Sequence, residues 1–336
     1  MAEVRQGGVA RPSTINDVAA AAGVSRQTVT RAMNNMPGIS VETKERVLQA
    51  ARELRYRPSR FGRGLVKQEH RTLGLVIDDL TNPYYPELAS AVVGFAADNG
   101  WNVVLADTIH TSHPAELIAD LTHQVDAVIG YLGLASEQAD VLLAGMPVVE
   151  IDVSKEQTQR GSIVLDFATA MSEAVDHLLE RGVRQPVMLD VTSATRPSFR
   201  ARLFVSAMEL RGLSVPVVRA EGIGLGPAAE ATRKLLVDRP ETDAIMAFND
   251  ITAFGALQAL RQAGVAVPDR VKVIGIDGLS IGTFVSPQLT TLALDMTQVA
   301  QAAVETVLGM YAGTLPLGGP MVRRTVSHRL VIRESS

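Results

Sequence analysis

The chain has 336 residues, 46% of them hydrophobic and 20% charged, with no cysteine and a formal net charge of −4. That length supports more than one domain and a large apolar core, and the missing cysteine excludes disulfides and thiolate metal sites. No apolar run reaches the roughly 18 residues of a membrane span, and the N-terminus lacks the apolar stretch of a secretory signal, so a cytoplasmic location is expected.

Charge is unevenly placed. Residues 1–71 carry 13 Lys or Arg against 6 Asp or Glu, a net of +7, whereas the remaining 265 residues carry 19 against 30, a net of −11. A basic head on an acidic body is the footprint of a nucleic-acid module joined to something else.

In chain order, residues 1–12, with Gly7, Gly8 and Pro12, read as a disordered lead. Residues 13–58 read as a helix-turn-helix unit. Thr14 can cap a first helix, with Asp17 three residues on, and Val18, Ala19 and Ala22 share an apolar face. Gly23 supplies the turn. Ser25 then caps a second helix that Val29 anchors to the first. This leaves Arg26, Gln27, Thr28, Thr30 and Arg31 outward, side chains suited to base edges and phosphates. A third helix from its cap at Ser40 through Val47, Leu48, Ala51 and Leu54 closes the core. A plain three-helix bundle with a solvated face is the alternative, and the local positive charge argues against it.

Residues 59–70 form a linker, Ser59-Arg60-Phe61-Gly62-Arg63-Gly64-Leu65 and onward. Each of its two glycines disfavours helix by about 0.8 to 1 kcal/mol relative to Ala. From Arg71 to Arg333, short apolar runs alternate with amphipathic segments. Strands are expected at 73–77, 103–106, 127–129, 148–151, 163–165, 187–189, 244–248 and 271–276. Helices such as 87–99, 168–181, 198–211, 251–263 and 298–310 lie between them. Buried strands alternating with helices argue for parallel sheets covered on both faces, and the length suggests two of them.

Polar groups follow these strands: Asp78 and Asp79, Asp107, Tyr131, Asp152, Asp190, Asn249 with Asp250, and Asp277. Ligands of open α/β sheets bind at the carboxyl ends of strands, so the groups should gather around one cleft. Carboxylates and amides suit vicinal hydroxyls, while Tyr84, Tyr85, Phe199 and Phe248 offer apolar faces, which together suits a sugar. About half of the strand-end groups are expected to be ordinary helix caps.

The run Thr14-Ile15-x-Asp17-Val18-Ala19, the run Gly23-Val24-Ser25-x-x-Thr28-Val29-x-Arg31, then Tyr56-Arg57-Pro58 and Leu65, resemble the lactose/galactose repressor (LacI/GalR) family. The resemblance extends through Val267-Pro268, Gly275-Ile276-Asp277 and Leu289-Thr290-Thr291-Leu292. Thr30 stands where the family usually has Ser. The resemblance implies a helix-turn-helix head plus a periplasmic-binding-protein-like α/β body, two doubly wound parallel-sheet subdomains with crossings near residues 164, 293 and 322. It also implies a homodimer on pseudo-palindromic double-stranded operator DNA, without membrane, cofactor or metal, and no enzyme. Its DNA-contacting set would be Thr14, Ser25, Arg26, Gln27, Thr28, Thr30, Arg31, Asn34, Tyr56, Arg63 and the hinge Leu65, which in relatives wedges into the minor groove. A small-molecule effector, expected to be a carbohydrate, would touch Asp78, Asp79, Tyr84, Tyr85, Asp107, Tyr131, Phe199, Arg200, Asn249 and Asp277. The chain departs from the pattern at Gly62 and Gly64 in the hinge, at Leu203 where Gly is usual, and at Val153 where Arg is usual. A plain flexible linker therefore stands beside a hinge helix.

Gly278-Leu279-Ser280-Ile281-Gly282 has the form of a nucleophile elbow, with Asp295 and His328 downstream, but no amphipathic helix follows it. Gly222-x-Gly224-x-Gly226 lacks a following acid and reads as a loop, and His110 and His113 lack a third ligand. A transport-type solute receptor would share the body's fold, yet it would need an export signal and has no use for a basic head. The sequence closes at Arg333-Glu334-Ser335-Ser336 without apolar heptads, so no tetramerising coiled coil is expected.

Overall fold

The structure is a computed structural model and describes residues 15–33, 36, 38–54, 71–152, 159–191 and 197–336. The chain divides into two units, Met1–His70 and Arg71–Ser336.

In the first unit, α1 (Ile15–Ala22), α2 (Arg26–Met33) and α3 (Val41–Glu53) enclose a small core of Val18, Ala19, Ala22, Val29, Ala32, Val47, Ala50 and Ala51. The turn between α1 and α2 is made by Gly23 at φ 64°, with the Val24 amide returning to the Ala19 carbonyl at 3.0 Å. That left-handed geometry ends a helix where a Cβ would be strained. Ser25 Oγ accepts from the Thr28 amide at 3.1 Å and Ser40 Oγ from the Thr43 amide at 3.2 Å, so the caps expected at these two serines form. Arg46 Nε donates to the Ala22 carbonyl at 3.0 Å, tying α3 to the last turn of α1 with a cation at its negative end. Leu48, expected in this core, is only half-buried, because Val47, Ala50, Ala51 and Leu54 already form the helical i, i+3, i+4, i+7 stripe. Thr14, the expected cap of α1, lies outside the described residues, as do Asn34, Tyr56, Arg63, Leu65 and the two hinge glycines.

The second unit begins with β1 (Thr72–Ile77), α4 (Tyr84–Asp98), β2 (Asn102–Asp107), α5 (Pro114–Thr122), β3 (Ala127–Gly130), α6 (Ser136–Leu142), β4 (Val148–Ile151) and β5 (Gly161–Asp166). It continues with α7 (Ala168–Glu180), β6 (Pro186–Asp190), α8 (Phe199–Glu209), β7 (Val217–Arg219), α9 (Leu225–Asp238), β8 (Ala244–Ala247), α10 (Asp250–Gln262), β9 (Lys272–Asp277) and β10 (Thr290–Ala293). Then come α11 (Met296–Tyr311), β11 (Arg323–Ser327) and β12 (Arg329–Val331). The strands form two six-stranded sheets, in the orders β11-β5-β4-β3-β1-β2 and β12-β10-β9-β8-β6-β7. All pairings are parallel except that of β12 with β10. Strands such as β1, β3 and β8 are buried along their whole length, as two-sided coverage requires.

The chain crosses between the sheets three times. After β5 it enters α7, which packs on α8 and β12; after β10 it enters α11, which packs on α4 and β3 to β5. The third crossing lies at His328, between β11 and β12, rather than near residue 322. The difference has a physical cause: Arg323–Ser327 first adds an edge strand to β5, and its mostly exposed pattern carries no apolar run to announce it. Strands β7 and β12 escape a sequence reading for the same reason, being three residues long and partly exposed edges. β10 is fully buried, but its Thr290 and Thr291 interrupt the apolar signal. No helix among the described residues is long and apolar enough to cross a membrane.

Candidate functional site

On the head, Arg26, Gln27 and Arg31 are exposed and, with Thr30 and Met36, line one open concavity. Three of the neighbouring hydroxyls have structural work. Ser25 Oγ and Thr28 Oγ1 share a 2.9 Å hydrogen bond at the cap, and Thr30 Oγ1 donates to the Arg26 carbonyl at 3.1 Å. α2 therefore presents long basic and amide side chains from a first turn held rigid by Ser25.

In the body, the carboxyl ends of the strands converge on a cavity of about 210 Å³. One wall comes from the first sheet: Asp78 after β1, Tyr84 and Tyr85 in the first turn of α4, Tyr131 after β3 and Asp152 after β4. The opposite wall comes from the second: Arg200 on α8, Phe248 and Asn249 after β8, and Asp277 at the end of β9. Asn82 and Ile223 complete the lining.

The three tyrosines meet edge to face, with ring centroids 5.2 Å (Tyr84–Tyr85), 6.1 Å (Tyr84–Tyr131) and 5.4 Å (Tyr85–Tyr131) apart. The Tyr84 and Tyr131 hydroxyls are hydrogen-bonded, and Tyr85 donates to Asp78 Oδ2 at 3.0 Å. Burial raises the pKa of all three, so the wall is neutral and protonated.

Opposite, the Arg200 guanidinium lies 5.1 Å from the Phe167 ring centroid and 4.8 Å from that of Phe248. Its Nη1 donates to the Phe248 carbonyl at 2.8 Å and stands 3.4 Å from Asp277 Oδ1. Burial opposes its charge, but Asp277 and Asp152 more than compensate, so the cation persists. Asp277 is buried, adopts φ 123°, and its Oδ1, although 3.4 Å from the Arg200 guanidinium, accepts no hydrogen bond among the described residues. A buried acceptor left open beside a cavity is a place for a ligand's donor, and positive φ at a non-glycine residue is the kind of strain that clusters at such sites. Burial first, then repulsion from Asp277, raises Asp250; burial likewise raises Asp277, against the pull of Arg200. Asp250 receives the Thr291 hydroxyl at 2.6 Å and the Leu279 amide at 2.7 Å, which pins the turn after β9. The close approach needs Gly275, where a Cβ would stand 2.2 Å from Asp250 Oδ1.

Asn249 serves twice. Its Oδ1 accepts from the amide and the hydroxyl of Thr252, both at 2.8 Å, capping α10 and leaving the NH₂ group as a donor on the cavity wall. Three expected effector residues are not brought to the cavity. Asp79 accepts from the Thr81 amide and hydroxyl at 2.8 and 2.6 Å, and Asp107 from the amides of Leu80 and Ile109, both at 3.1 Å. Both carboxylates organise loops. Phe199 is 54% exposed and meets Phe167 edge to face with the Arg202 guanidinium over its ring, rather than lining the pocket. Asp190 is likewise committed, receiving the amides of Val191 and Ser198. About half of the strand-end groups are thus turn or cap residues.

Comparison with known proteins places this geometry. Residues 14–59 match the lacI family of bacterial regulatory proteins, and residues 175–336 match a periplasmic binding protein-like domain. A ribose operon repressor from Halalkalibacterium halodurans is 33% identical over 284 residues, covering 83% of this chain and 85% of the relative. The chain belongs to the lacI family. The transcriptional repressor CytR of Escherichia coli is 28% identical and covers 96% of both chains. Among solved structures, a LacI family regulator from Arthrobacter sp. FB24 in complex with lactose shares 39% identity at a TM-score of 0.76, covering 80% of this chain and 99% of that one. The lac repressor dimer bound to operator and an anti-inducer has the same fold, at a TM-score of 0.75 and 24% identity.

Family membership makes the chain a DNA-binding transcription regulator rather than an enzyme, and the local geometry agrees. Ser280 opens a short 3-10 turn, Ser280–Thr283, and its hydroxyl donates to the Glu87 carboxylate at 2.7 Å. His328, the downstream histidine, stacks on Phe167 with centroids 3.9 Å apart and has Nδ1 3.0 Å from the Asp166 carbonyl oxygen. That joins the first and third crossings. Burial pushes the His328 imidazole down to about 4, so it is neutral. The Leu203 departure leaves Arg200 in place, because Leu203 packs against the main core. Gly224 and Gly226 stand at the start of α9. Among the described residues no cluster of His and carboxylates could hold a metal, and His110 and His113 are exposed.

Sequence reading missed Phe167, Asn82, Ile223 and the buried role of Asp250. Phe167 and Ile223 carry no polar signal, and Asp250 resembles an ordinary first-turn acid.

Proposed function

We propose that this regulator is a cytoplasmic repressor, a homodimer that grips a pseudo-palindromic operator through two heads and is controlled by a carbohydrate bound in the cleft of each body. The observation that carries the effector is the convergence of an open Asp277 Oδ1, the Arg200 cation, the Asn249 NH₂ donor and three neutral tyrosine faces on one cavity. Such a set offers acceptors, donors and flat apolar surface to a ring of hydroxyls, the requirements of a sugar site. Lactose in the Arthrobacter relative supports the same class.

On this reading residues 13–58 form the DNA-binding domain, 59–70 the hinge and 71–333 the effector and dimerisation body. Arg26 and Gln27 read bases in the major groove, with Thr14, Thr28, Thr30, Arg31, Asn34, Tyr56 and Arg63 on bases or phosphates and Leu65 in the minor groove. Two heads on a two-fold axis require two half-sites. Effector and operator prefer different arrangements of the dimer, so each alters the other's affinity by the same factor.

The test pairs two measurements on the full chain. A thermal-shift screen over lactose, cellobiose, ribose, their phosphates and nucleosides should find a saccharide that stabilises the body, by about 2.7 kcal/mol at 100 times its dissociation constant. Footprinting on the chain's own upstream DNA, with and without that saccharide, should show a protected palindrome whose occupancy changes. No protection of any fragment over bulk competitor would end the reading.

A further inference from the structure

The Gly278–Gly282 run is a motif that the regulator's function leaves unused, and its serine makes a long-range contact. Ser280 sits three residues beyond Asp277 on the second sheet's side of the cleft, and Glu87 sits on α4 of the first sheet, in the same first turn as Tyr84 and Tyr85. Glu87 Oε1 accepts from the Ser280 hydroxyl at 2.7 Å and from the Ser280 amide at 3.1 Å. The two residues are 193 positions apart in sequence, and the contact bridges the two walls directly beside the effector cavity.

Both ends are held firmly. Ser280 is displayed by a turn in which Thr283 Oγ1 donates to the Ser280 carbonyl at 2.9 Å and the Gly282 amide to the Leu279 carbonyl at 2.9 Å. Leu279 is fully buried, and its amide is bound by Asp250. On the other side Leu88, next to Glu87, is fully buried in the main core. A carboxylate accepting two donors from one residue is a charge-assisted pair with little freedom to slip.

From this geometry we infer that Glu87 and Ser280 are positioning residues that clasp the effector cleft, holding its walls at binding distance and so setting effector affinity. The inference rests on the reading of the cleft as an effector site. The clasp and the ligand-facing groups move together: any separation of the walls that parts Glu87 from Ser280 also parts Tyr84 and Tyr85 from Asp277. The Glu87 charge also raises the proton affinity of Asp277, so clasp and ligand acceptor are coupled electrostatically as well.

The experiment measures wall separation without a ligand. The chain has no cysteine, so Glu137→Cys and Glu221→Cys, at exposed positions on either side of the cleft, accept two spin labels uniquely. In full-length protein spin-diluted with unlabelled chain, Glu87→Ala should broaden the distance distribution and move it to longer values. Ser280→Ala, which keeps the amide, should do so less, and Glu87→Gln, which keeps an acceptor oxygen, should fall between parent and Glu87→Ala. The double variant should open no further than Glu87→Ala alone. A Glu87→Ala distribution identical to the parent's, with an unchanged circular-dichroism melt, overturns the clasp, and so does additivity in the double variant. Lactose titration is the second arm: where the parent binds it, Glu87→Ala should weaken binding about 10-fold, the scale of a lost charge-assisted hydrogen bond. A parent that binds none of lactose, cellobiose or ribose counts against the effector reading, while the label distances still decide the clasp.

Discussion

The head and the cleft solve opposite problems. In the head Arg26, Gln27 and Arg31 are exposed, and small residues near them in sequence, Gly23, Ser25 and Ser40, make the geometry that presents them. In the cleft the working groups are largely buried and hold one another: Arg200 against Asp277, Phe167 and Phe248, and Tyr85 against Asp78. A surface that meets a large polyanion can leave its charges in water, whereas a pocket that selects a small polar ligand must desolvate its groups and then constrain them. Substitutions in the head should therefore change recognition with little effect on stability, and substitutions in the cleft should change both.

The sharpest test of that contrast is Arg200→Ala. It strips Asp277 of its buried counter-charge and should destabilise the body by about 3 to 5 kcal/mol, with loss of any saccharide response. Urea unfolding of the full chain measures it, and an unchanged midpoint would place Arg200 outside the network.

Protonation probes the same network. Burial raises the pKa of Asp277 to about 7, far above its value in an unfolded chain. The folded chain then holds a proton that the unfolded chain releases, so the contribution of this group to stability is fully present below about pH 4 and is lost as pH rises toward 7, by up to about 1.4 kcal/mol per pH unit. Melting temperature in the absence of ligand should fall over that window, and Asp277→Asn should flatten the fall. A melt that rises across the window in both proteins would contradict the buried-acid assignment.

Arg26→Ala tests the other side. It should cost about 1 to 3 kcal/mol of discrimination between operator and competitor, read by competition gel shift, with the body's melting temperature unmoved. A matching loss of stability would show that the head does not separate recognition from folding. The smallest effect is expected from Ser25→Ala, where losing the cap should destabilise the head by about 1 kcal/mol, visible as faster amide exchange in α2.

Much of the architecture was legible because it rests on short-range rules. The turn at Gly23, the caps at Ser25 and Ser40, and the buried strands β1, β3, β8 and β9 announce themselves by residue type and period. Edge strands β7, β11 and β12 do not, since half-exposed polar segments carry no apolar run. The cleft was legible only as a class of residue at strand ends. Asp78, Asp79 and Asp107 look alike in sequence, yet Asp78 faces the cavity while the other two bind nearby amides or a hydroxyl.

By itself, then, the sequence determined the helix-turn-helix unit, the two-sheet body, the break near Arg71 and the separation of positive from negative charge, because each follows from local propensity, periodicity or composition. Tertiary structure alone decided which carboxylates line the cavity, that Asp277 keeps an open acceptor, where the chain makes its third crossing, and that Ser280 meets Glu87 across the cleft. Those facts depend on distances between residues far apart in the chain, and such distances arise only when the two sheets pack.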